Sequence, residues 1–226
     1  MTDLAVVVPI KALDQAKQRQ APFLSPGERA GLVQAMASDV LAAVGAATTS
    51  ENLFVCCGDQ HGAELGRRVG ANVLVDEQSG LGLNAIIRQV AQRLGQAGWA
   101  RLLVVHADLP ALAAEDVRVA GDFGRDDLLL VADHNGTGSN LLGWGLHTAF
   151  AARYGEGSYQ RHRTLAAQLG LRIRSPHLPW ATLDMDRPED LQRLLASPSD
   201  GRAAATRAWL SRTPLRERLQ SASQSL

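Results

Sequence analysis

The chain is short of most of the features that would assign it quickly, and each shortage excludes something. Its formal charge is zero, 23 basic residues against 23 acidic ones, so there is no bulk electrostatic reason to expect nucleic acid or an anionic membrane as a partner. No apolar run approaches the roughly 18 residues that span a bilayer, and Met1-Thr2-Asp3 passes straight into an apolar stretch without a signal-peptide pattern. A soluble cytoplasmic protein is the expectation. Cysteine is confined to Cys56 and Cys57, adjacent in an apolar run, which is poor geometry for a mutual disulfide and matches no zinc spacing. Buried thiols are expected there. Gly-Lys-Ser/Thr does not occur, so there is no Walker loop. The sharpest shortage is lysine. Of the 23 basic residues 21 are arginine, and Lys11 and Lys17 are the first two basic residues of the chain. If the two types were interchangeable, that placement would arise roughly once in 250 random assignments. A compact ammonium is wanted near the first loop.

What is present reads as an α/β protein. At 226 residues the chain suits one domain with a sizeable core and a terminal appendage. Residues 102–105 are four apolar residues in a row, two of them β-branched, as in a strand covered on both faces, and we expect it to be central. Further strands are expected at 4–8, 52–57, 72–75, 127–131 and 141–144. Helices alternate with the early ones, which argues for a mostly parallel sheet with right-handed crossovers. Ser25-Pro26-Gly27-Glu28 has the residues of a capping box and opens a helix through about residue 44. Two more strands are expected at 171–175 and 181–183, then a short helix opened by Pro188. Residues 1–196 make the domain. The Ser-, Arg- and Ala-rich residues 197–226 form an extension of short amphipathic helices around 203–210 and 215–219, or stay loose.

Candidate chemistry gathers where strands end. Asp108 follows the central strand, and Pro110 has no N–H with which to continue a ladder. In open α/β sheets ligands bind at that carboxyl edge, although an acid there can equally cap a turn. Pro9 closes the first strand, and the loop after it carries Lys11, Lys17 and Arg19, a position where such folds hold phosphates. Gly80, Gly82 and Asn84 lie in a loop that feeds a long helix, with Asn84 as a candidate N-cap and glycines that permit close approach. A polar loop at 132–140 leads into the strand at 141–144. Ser158, preceded by Gly155 and Gly157, caps a helix whose first turn holds Arg161, His162 and Arg163. Cations oppose the dipole there, so a bound anion at the helix start would account for them. Asp184 and Asp186 share a face if 184–186 continues a strand, and one of them could join Asp108 on a divalent cation. Glu189 and Asp190 favour the following helix N-terminus.

These segments, in this order, resemble the guanylyltransferases of coenzyme F420 biosynthesis, whose fold is like that of the molybdenum-cofactor guanylyltransferases. The resemblance covers roughly residues 4–195. It rests on Val8-Pro9-Ile10-Lys11 with Ala16-Lys17-Gln18-Arg19, on Leu24-Ser25-Pro26-Gly27-Glu28-Arg29, on Gly82-Leu83-Asn84-Ala85 and on Ala107-Asp108-Leu109-Pro110. It continues through Gly136-Thr137-Gly138-Ser139-Asn140, Tyr154-Gly155-Glu156-Gly157-Ser158 with Arg161-His162, and Leu183-Asp184-Met185-Asp186 with Pro188-Glu189-Asp190-Leu191. Each segment is modest and the combination is specific. The chain departs from the family at Gln18 and Gln20, where Ser and Leu are usual, and at His106, where Pro is usual.

The resemblance implies a three-layer sandwich of the nucleotide-diphospho-sugar transferase kind and a reaction in which GMP passes from GTP to the phosphate of a small phospho-carboxylic acid with release of pyrophosphate. It implies Mg²⁺ on Asp108 with Asp184 or Asp186, and Lys11, Lys17 and Arg19 on the triphosphate. Pro9, Gly82, Leu83 and Asn84 would meet the nucleotide. Thr137, Ser139, Asn140, Gly155, Gly157, Ser158 and Arg161 would hold the acceptor. The acceptors it offers are phosphoenolpyruvate, 2-phospho-L-lactate and 3-phospho-D-glycerate, of which we favour the first. Small-molecule substrates, with no nucleic acid or membrane, are the expected partners, and a homodimer is left open. The rivals are a nucleotidyltransferase for a molybdopterin or sugar phosphate, and a non-catalytic GTP-binding protein.

Overall fold

The apolar runs become strands because both of their faces are covered. The computed structural model describes residues 3–11, 23–75, 82–198, 200–215 and 218–219. Its strands are β1 (Leu4–Ile10), β2 (Leu53–Cys57), β3 (Asn72–Val75), β4 (Arg101–Val105), β5 (Asp127–Ala132), β6 (Ser139–Gly145) and β7 (Arg172–Arg174). Its helices are α1 (Pro26–Ala47), α2 (Gln60–Arg68), α3 (Leu83–Gln96), α4 (Ala114–Gly121), α5 (Ser158–Gln168), α6 (Pro188–Ala196) and α7 (Ala204–Ser211). The sheet has seven strands in the order β3-β2-β1-β4-β6-β5-β7, so the 102–105 run is indeed its centre. Among the described residues only β6 runs against its neighbours, β4 and β5; the other pairings are parallel.

Side chains alternate across a strand, and the alternation sorts the core into layers. Val6, Val8, Leu103, Val105, Leu129 and Val131 meet α1, α2 and α4 on one face. Ala5, Val7, Leu102, Val104, Leu128 and Leu130 meet α3 and α5 on the other. This is the three-layer sandwich expected. Cys56 and Cys57 are both buried in β2, and burial pushes the Cys57 thiol up.

Helix α1 corrects one expectation. An 18-residue window within it has a mean hydropathy of 1.5, and the helix reaches the length and composition of a membrane span. The high apolar content has another use here. Ala37, Val40, Leu41 and Val44 pack on the sheet, while Leu32, Val33 and Met36 pack against α6, α7 and Leu215 and Leu219. A helix covered on two sides is apolar nearly all round. Its start is the expected capping box: the Glu28 N–H donates to Ser25 Oγ at 3.3 Å and the Ser25 N–H to Glu28 Oε2 at 2.9 Å.

The residues after 196 therefore contribute apolar side chains to the same core as α1 and α6. At the crossing of α1 and α7, a Cβ on Gly31 would lie 2.5 Å from Trp209 Nε1, so only glycine allows that approach. The N-terminus of α7 has no cap of its own. Asp39 of α1 supplies one, its carboxylate accepting from Ala205 N at 2.8 Å, Thr206 N at 2.8 Å and Thr206 Oγ1 at 2.6 Å. Asp39→Ala should cost about 2 kcal/mol, read as a fall of roughly 4–8 °C in melting temperature for a chain of this size. An unchanged melt would mean that apolar packing alone docks α7.

Two strands differ from expectation. The one expected at 171–175 is the three-residue edge strand β7. Residues 181–183 are not a strand, because Pro179 opens a 3-10 turn over Pro179–Thr182 and three apolar residues are too few to pair. Asp184 and Asp186 consequently do not share the face of a strand.

Candidate functional site

The carboxyl ends of β1 and β4 lie side by side, the two strands being parallel partners through Val7 and Val104. Lys11 follows β1 directly and is exposed. Lys17 and Arg19 lie outside the described residues. Asp108 stands three residues past β4, and its carbonyl accepts the Met185 N–H at 3.1 Å. That bond, with Met185 fully buried, seats residues 184–186 against the end of the central strand by a tertiary contact instead of by strand pleat.

Asp184 feels the other two acids. Burial pushes the Asp184 carboxyl up to about 6, and the negative charges of Asp108 and Asp186 push in the same direction, against a hydrogen bond from Asn140 that favours the ionised form. Like charges held together at a strand end fit a divalent cation. Among the described residues no three His, Cys, Asp or Glu side chains are placed to hold a metal ion by themselves. Mg²⁺ does not need such a set, since it is usually bound by one or two carboxylates plus substrate phosphates and water.

Around this cluster stand Asp190, from the Pro188-Glu189-Asp190-Leu191 segment, and His134, which carries no motif. Asp190, 2% exposed, accepts the backbone N–H groups of Asp186 at 3.1 Å and Arg187 at 2.8 Å, so it fixes the acidic segment as well as opening α6. His134, in the β5–β6 turn, lies with Nδ1 3.5 Å from Asp184 Oδ1 and Nε2 3.6 Å from Asp190 Oδ1. Nothing in the sequence spacing marked His134. Asp190 carried a signal, three positions after Arg187, that reads as helix capping.

The expected acceptor residues meet next to this cluster, and they divide into lining and support. Tyr159 N donates to Thr137 O at 3.1 Å, joining the β5–β6 turn to the start of α5. Gly155 and Gly157 have φ of +119° and +66°, values that favour glycine. Gly157, not Ser158, is the N-cap of α5. Arg161 is exposed beside Gly155. Thr137 is held by Asp133, through its N–H at 2.8 Å and its Oγ1 at 3.2 Å. Ser139, Asn140 and Ser158 are buried and bonded internally. Asn140 Nδ2 reaches Ala181 O, Thr182 O and Asp184 Oδ1 at 3.1, 3.2 and 3.3 Å. Ser139 Oγ lies 3.0 Å from His162 Nδ1 and accepts from Ser158 Oγ at 3.3 Å.

On the other side of the sheet edge, Gly82 is the N-cap of α3 and Leu83 its first residue. Asn84 is not the cap. Its amide clasps the Tyr154 main chain, Nδ2 donating to Tyr154 O at 3.0 Å and Oδ1 accepting from Tyr154 N at 2.6 Å. Tyr154 in turn packs between His106 and His162, ring centroids 4.9 and 5.4 Å away. Pro9 pairs with Cys56 within the sheet.

A mostly parallel sheet with cation-bearing and acid-bearing strand ends side by side defines a nucleotidyltransferase of the three-layer α/β class. The fold agrees: a Desulfovibrio desulfuricans G20 protein assigned to the nucleotide-diphospho-sugar transferases superposes with a TM-score of 0.74 at 18% identity, over 96% of this chain and 98% of that one. The family model for guanylyl transferases of the CofC-like kind matches residues 4–224, and the chain belongs to that family. A phosphoenolpyruvate guanylyltransferase of Sphaerobacter thermophilus is 32% identical over 86% of this chain and 93% of its own length. A 2-phospho-L-lactate guanylyltransferase of Halorubrum lacusprofundi is 31% identical over 92% and 91%. The matched span runs on past Ser197, where the residue-by-residue resemblance stops.

Proposed function

We propose that this guanylyltransferase moves GMP from GTP to the phosphate of phosphoenolpyruvate, in the cytoplasm, as a step of coenzyme F420 biosynthesis. The reading is supported above all by the meeting of Asp108 with the Asp184–Asp186 segment at the carboxyl end of β4, beside Lys11. The choice of acceptor is supported by the name of the Sphaerobacter relative.

In the reaction an oxygen of the acceptor phosphate forms a bond to the α-phosphorus of GTP, the bond from that phosphorus to the β-phosphate oxygen breaks, and the electron pair leaves with pyrophosphate. Protein groups serve it by alignment and by neutralising charge. Asp108, with Asp184 or Asp186, would hold Mg²⁺, which supplies Lewis-acid polarisation of phosphate oxygens and a template for both substrates. Lys11, Lys17 and Arg19 neutralise the triphosphate and the departing pyrophosphate. Pro9, Gly82 and Leu83 border the nucleoside, and Asn84 ties that side to the acceptor loop through Tyr154. The backbone of Gly155, Gly157 and Ser158 at the start of α5, with Thr137 and Arg161, receives the acceptor's anionic groups. Ser139 and Asn140 act from beneath, holding the two loops and Asp184.

The test is pyrophosphate release with GTP, Mg²⁺ and each of the three phospho-acids. Release with phosphoenolpyruvate at a kcat/KM at least tenfold above the other two is the expected result. GTP binding without release for any acid would leave a nucleotide-binding protein. Lys17→Arg should lower kcat/KM by about tenfold or more, because a planar guanidinium does not replace a compact ammonium against a phosphate. Full activity would make the placement of the two lysines accidental.

A further inference from the structure

We infer that His134 is a positioning residue for the cation-binding carboxylates: from its turn between β5 and β6 it fixes Asp184 in the orientation that, with Asp108, receives the divalent ion. The inference rests on the proposed reading of this cluster as the seat of that ion.

The observations converge on one oxygen. Asp184 Oδ1 is approached from one side by Asn140 Nδ2 at 3.3 Å and from another by His134 Nδ1 at 3.5 Å. Both contacts fall on the same oxygen, Oδ1, and neither engages Oδ2. His134 is itself held from behind. Its Nε2 lies 3.6 Å from Oδ1 of Asp190, and Oδ2 of that buried acid accepts the backbone N–H groups of Asp186 and Arg187. One ring nitrogen thus lies within 3.6 Å of each acid, and Nδ1, which is buried, makes no hydrogen bond to another group among the described residues. At 3.5–3.6 Å these are polar contacts longer than a hydrogen bond, of the kind that shortens when substrates and ion draw a site together.

The turn that carries His134 is stiff. Asp133 N donates to Gly138 O at 3.1 Å, Gly136 N donates to Asp133 O at 3.0 Å, and the Asp133 carboxylate accepts both the N–H and the hydroxyl of Thr137. The imidazole is only 22% exposed. Two segments far apart in sequence, the β5–β6 turn and residues 184–190, are therefore bridged through a single ring. Residues that brace a metal ligand in this way typically change ion affinity by 10–100-fold when removed.

The probe is Mn²⁺ added to the full chain with GTP, read by water-proton relaxation enhancement, which separates an ion held by protein and nucleotide together from one on free GTP. Wild type should show the enhancement and Asp108→Asn should lose it. His134→Ala should raise the Mn²⁺ Kd about 10–100-fold with a melting temperature within about 4 °C of wild type. His134→Asn, which keeps a short N–H donor, should recover to within about threefold of the wild-type Kd. If His134→Ala binds Mn²⁺ within twofold of wild type, the positioning role is overturned and the ion's seat stands. If wild type shows no enhancement, the seat falls and the inference with it. If both His134 variants lose the ion and melt more than 10 °C lower, the residue is structural and the inference is overturned.

Discussion

Asp108→Asn should lower pyrophosphate release by at least about a thousandfold and leave the melting temperature unchanged or slightly raised. A thousandfold is about 4 kcal/mol of transition-state stabilisation, within the several kcal/mol that a metal ion supplies at a transferring phosphoryl group. The substitution is nearly isosteric, and the contact by which residue 108 seats the acidic segment, its carbonyl to Met185 N, belongs to the main chain and survives. What changes is charge. The carboxylate of residue 108 is one of two that push Asp184 upward, so removing it relieves repulsion in the metal-free protein. Loss of activity with preserved stability is the signature of a functional acid. A fall of more than about 8 °C in the melt, or turnover above a tenth of wild type, would contradict the assignment.

The same repulsion sets a pH dependence. Asp184 holds its proton up to about pH 6 in the folded chain, against an ordinary value of 3.8. Between those values the folded state binds more protons than the unfolded state, so stability falls as pH rises through the window. The contribution is present below about pH 4 and lost above about pH 6, at most about 3 kcal/mol for a group so coupled to its neighbours. Asp108→Asn should shrink it, because one of its causes is gone. Equal slopes for the two proteins between pH 4 and 6 in urea unfolding without added metal would mean that the two carboxylates do not interact.

How far the sequence could be read follows from which signals are local. The 102–105 run, the Ser25 capping box and the order of strands and helices up to β5 were legible, because apolar period, cap residues and breakers act over a few positions. The run of apolar residues in α1 was legible as composition but not as architecture, since its second packing partner, α7, lies more than 150 residues downstream. Asp108 was legible because it ends a strand. Asp184 and Asp186 are legible from the Leu183-Asp184-Met185-Asp186 segment but not from strand pleat, because residues 179–182 form a 3-10 turn, and the segment is seated against residue 108 by a tertiary bond from Met185 that no spacing rule encodes. Ser139, Asn140 and Ser158 stand out as small polar residues in loops, yet their burial depends on partners at 162, 181–184 and 139. A polar side chain in a loop looks the same in sequence whether it faces a ligand or supports the backbone that does. His134 shows the reverse, a residue without a pattern that lies between two acids.

The support beneath the proposed acceptor loop has its own expected result: His162→Phe should destabilise the protein by about 2–4 kcal/mol near pH 7, with a cost that shrinks as pH falls toward 4. His162 is fully buried. The Arg153 N–H donates to its Nε2 at 2.8 Å, so that nitrogen carries no proton, and the proton on Nδ1 points at Ser139 Oγ, 3.0 Å away. Burial lowers the imidazole to about 4 from 6.5, with the charges of Arg161, His106 and Arg153 acting in the same direction. Between those values the unfolded chain takes up a proton that the folded chain refuses, so stability rises with pH through this window. The contribution is complete above about pH 6.5 and lost as pH falls toward 4, the opposite sign to that of Asp184. A ring of similar size keeps the packing against Phe150 and Tyr154 but has neither nitrogen, so it strands the Arg153 N–H and leaves Ser139 without that partner. The difference between the wild-type and variant curves cancels Asp184 and isolates the imidazole. The two curves should converge on acidification, and the KM for the phospho-acid should rise about tenfold while that for GTP stays within twofold, because the bonds of His162 go to Ser139 and to the Arg153 main chain that leads into the 155–158 loop. Parallel curves would mean that the buried ring titrates alike in both states, and an equal rise in both KM values would mean that the loop it supports is not the acceptor's.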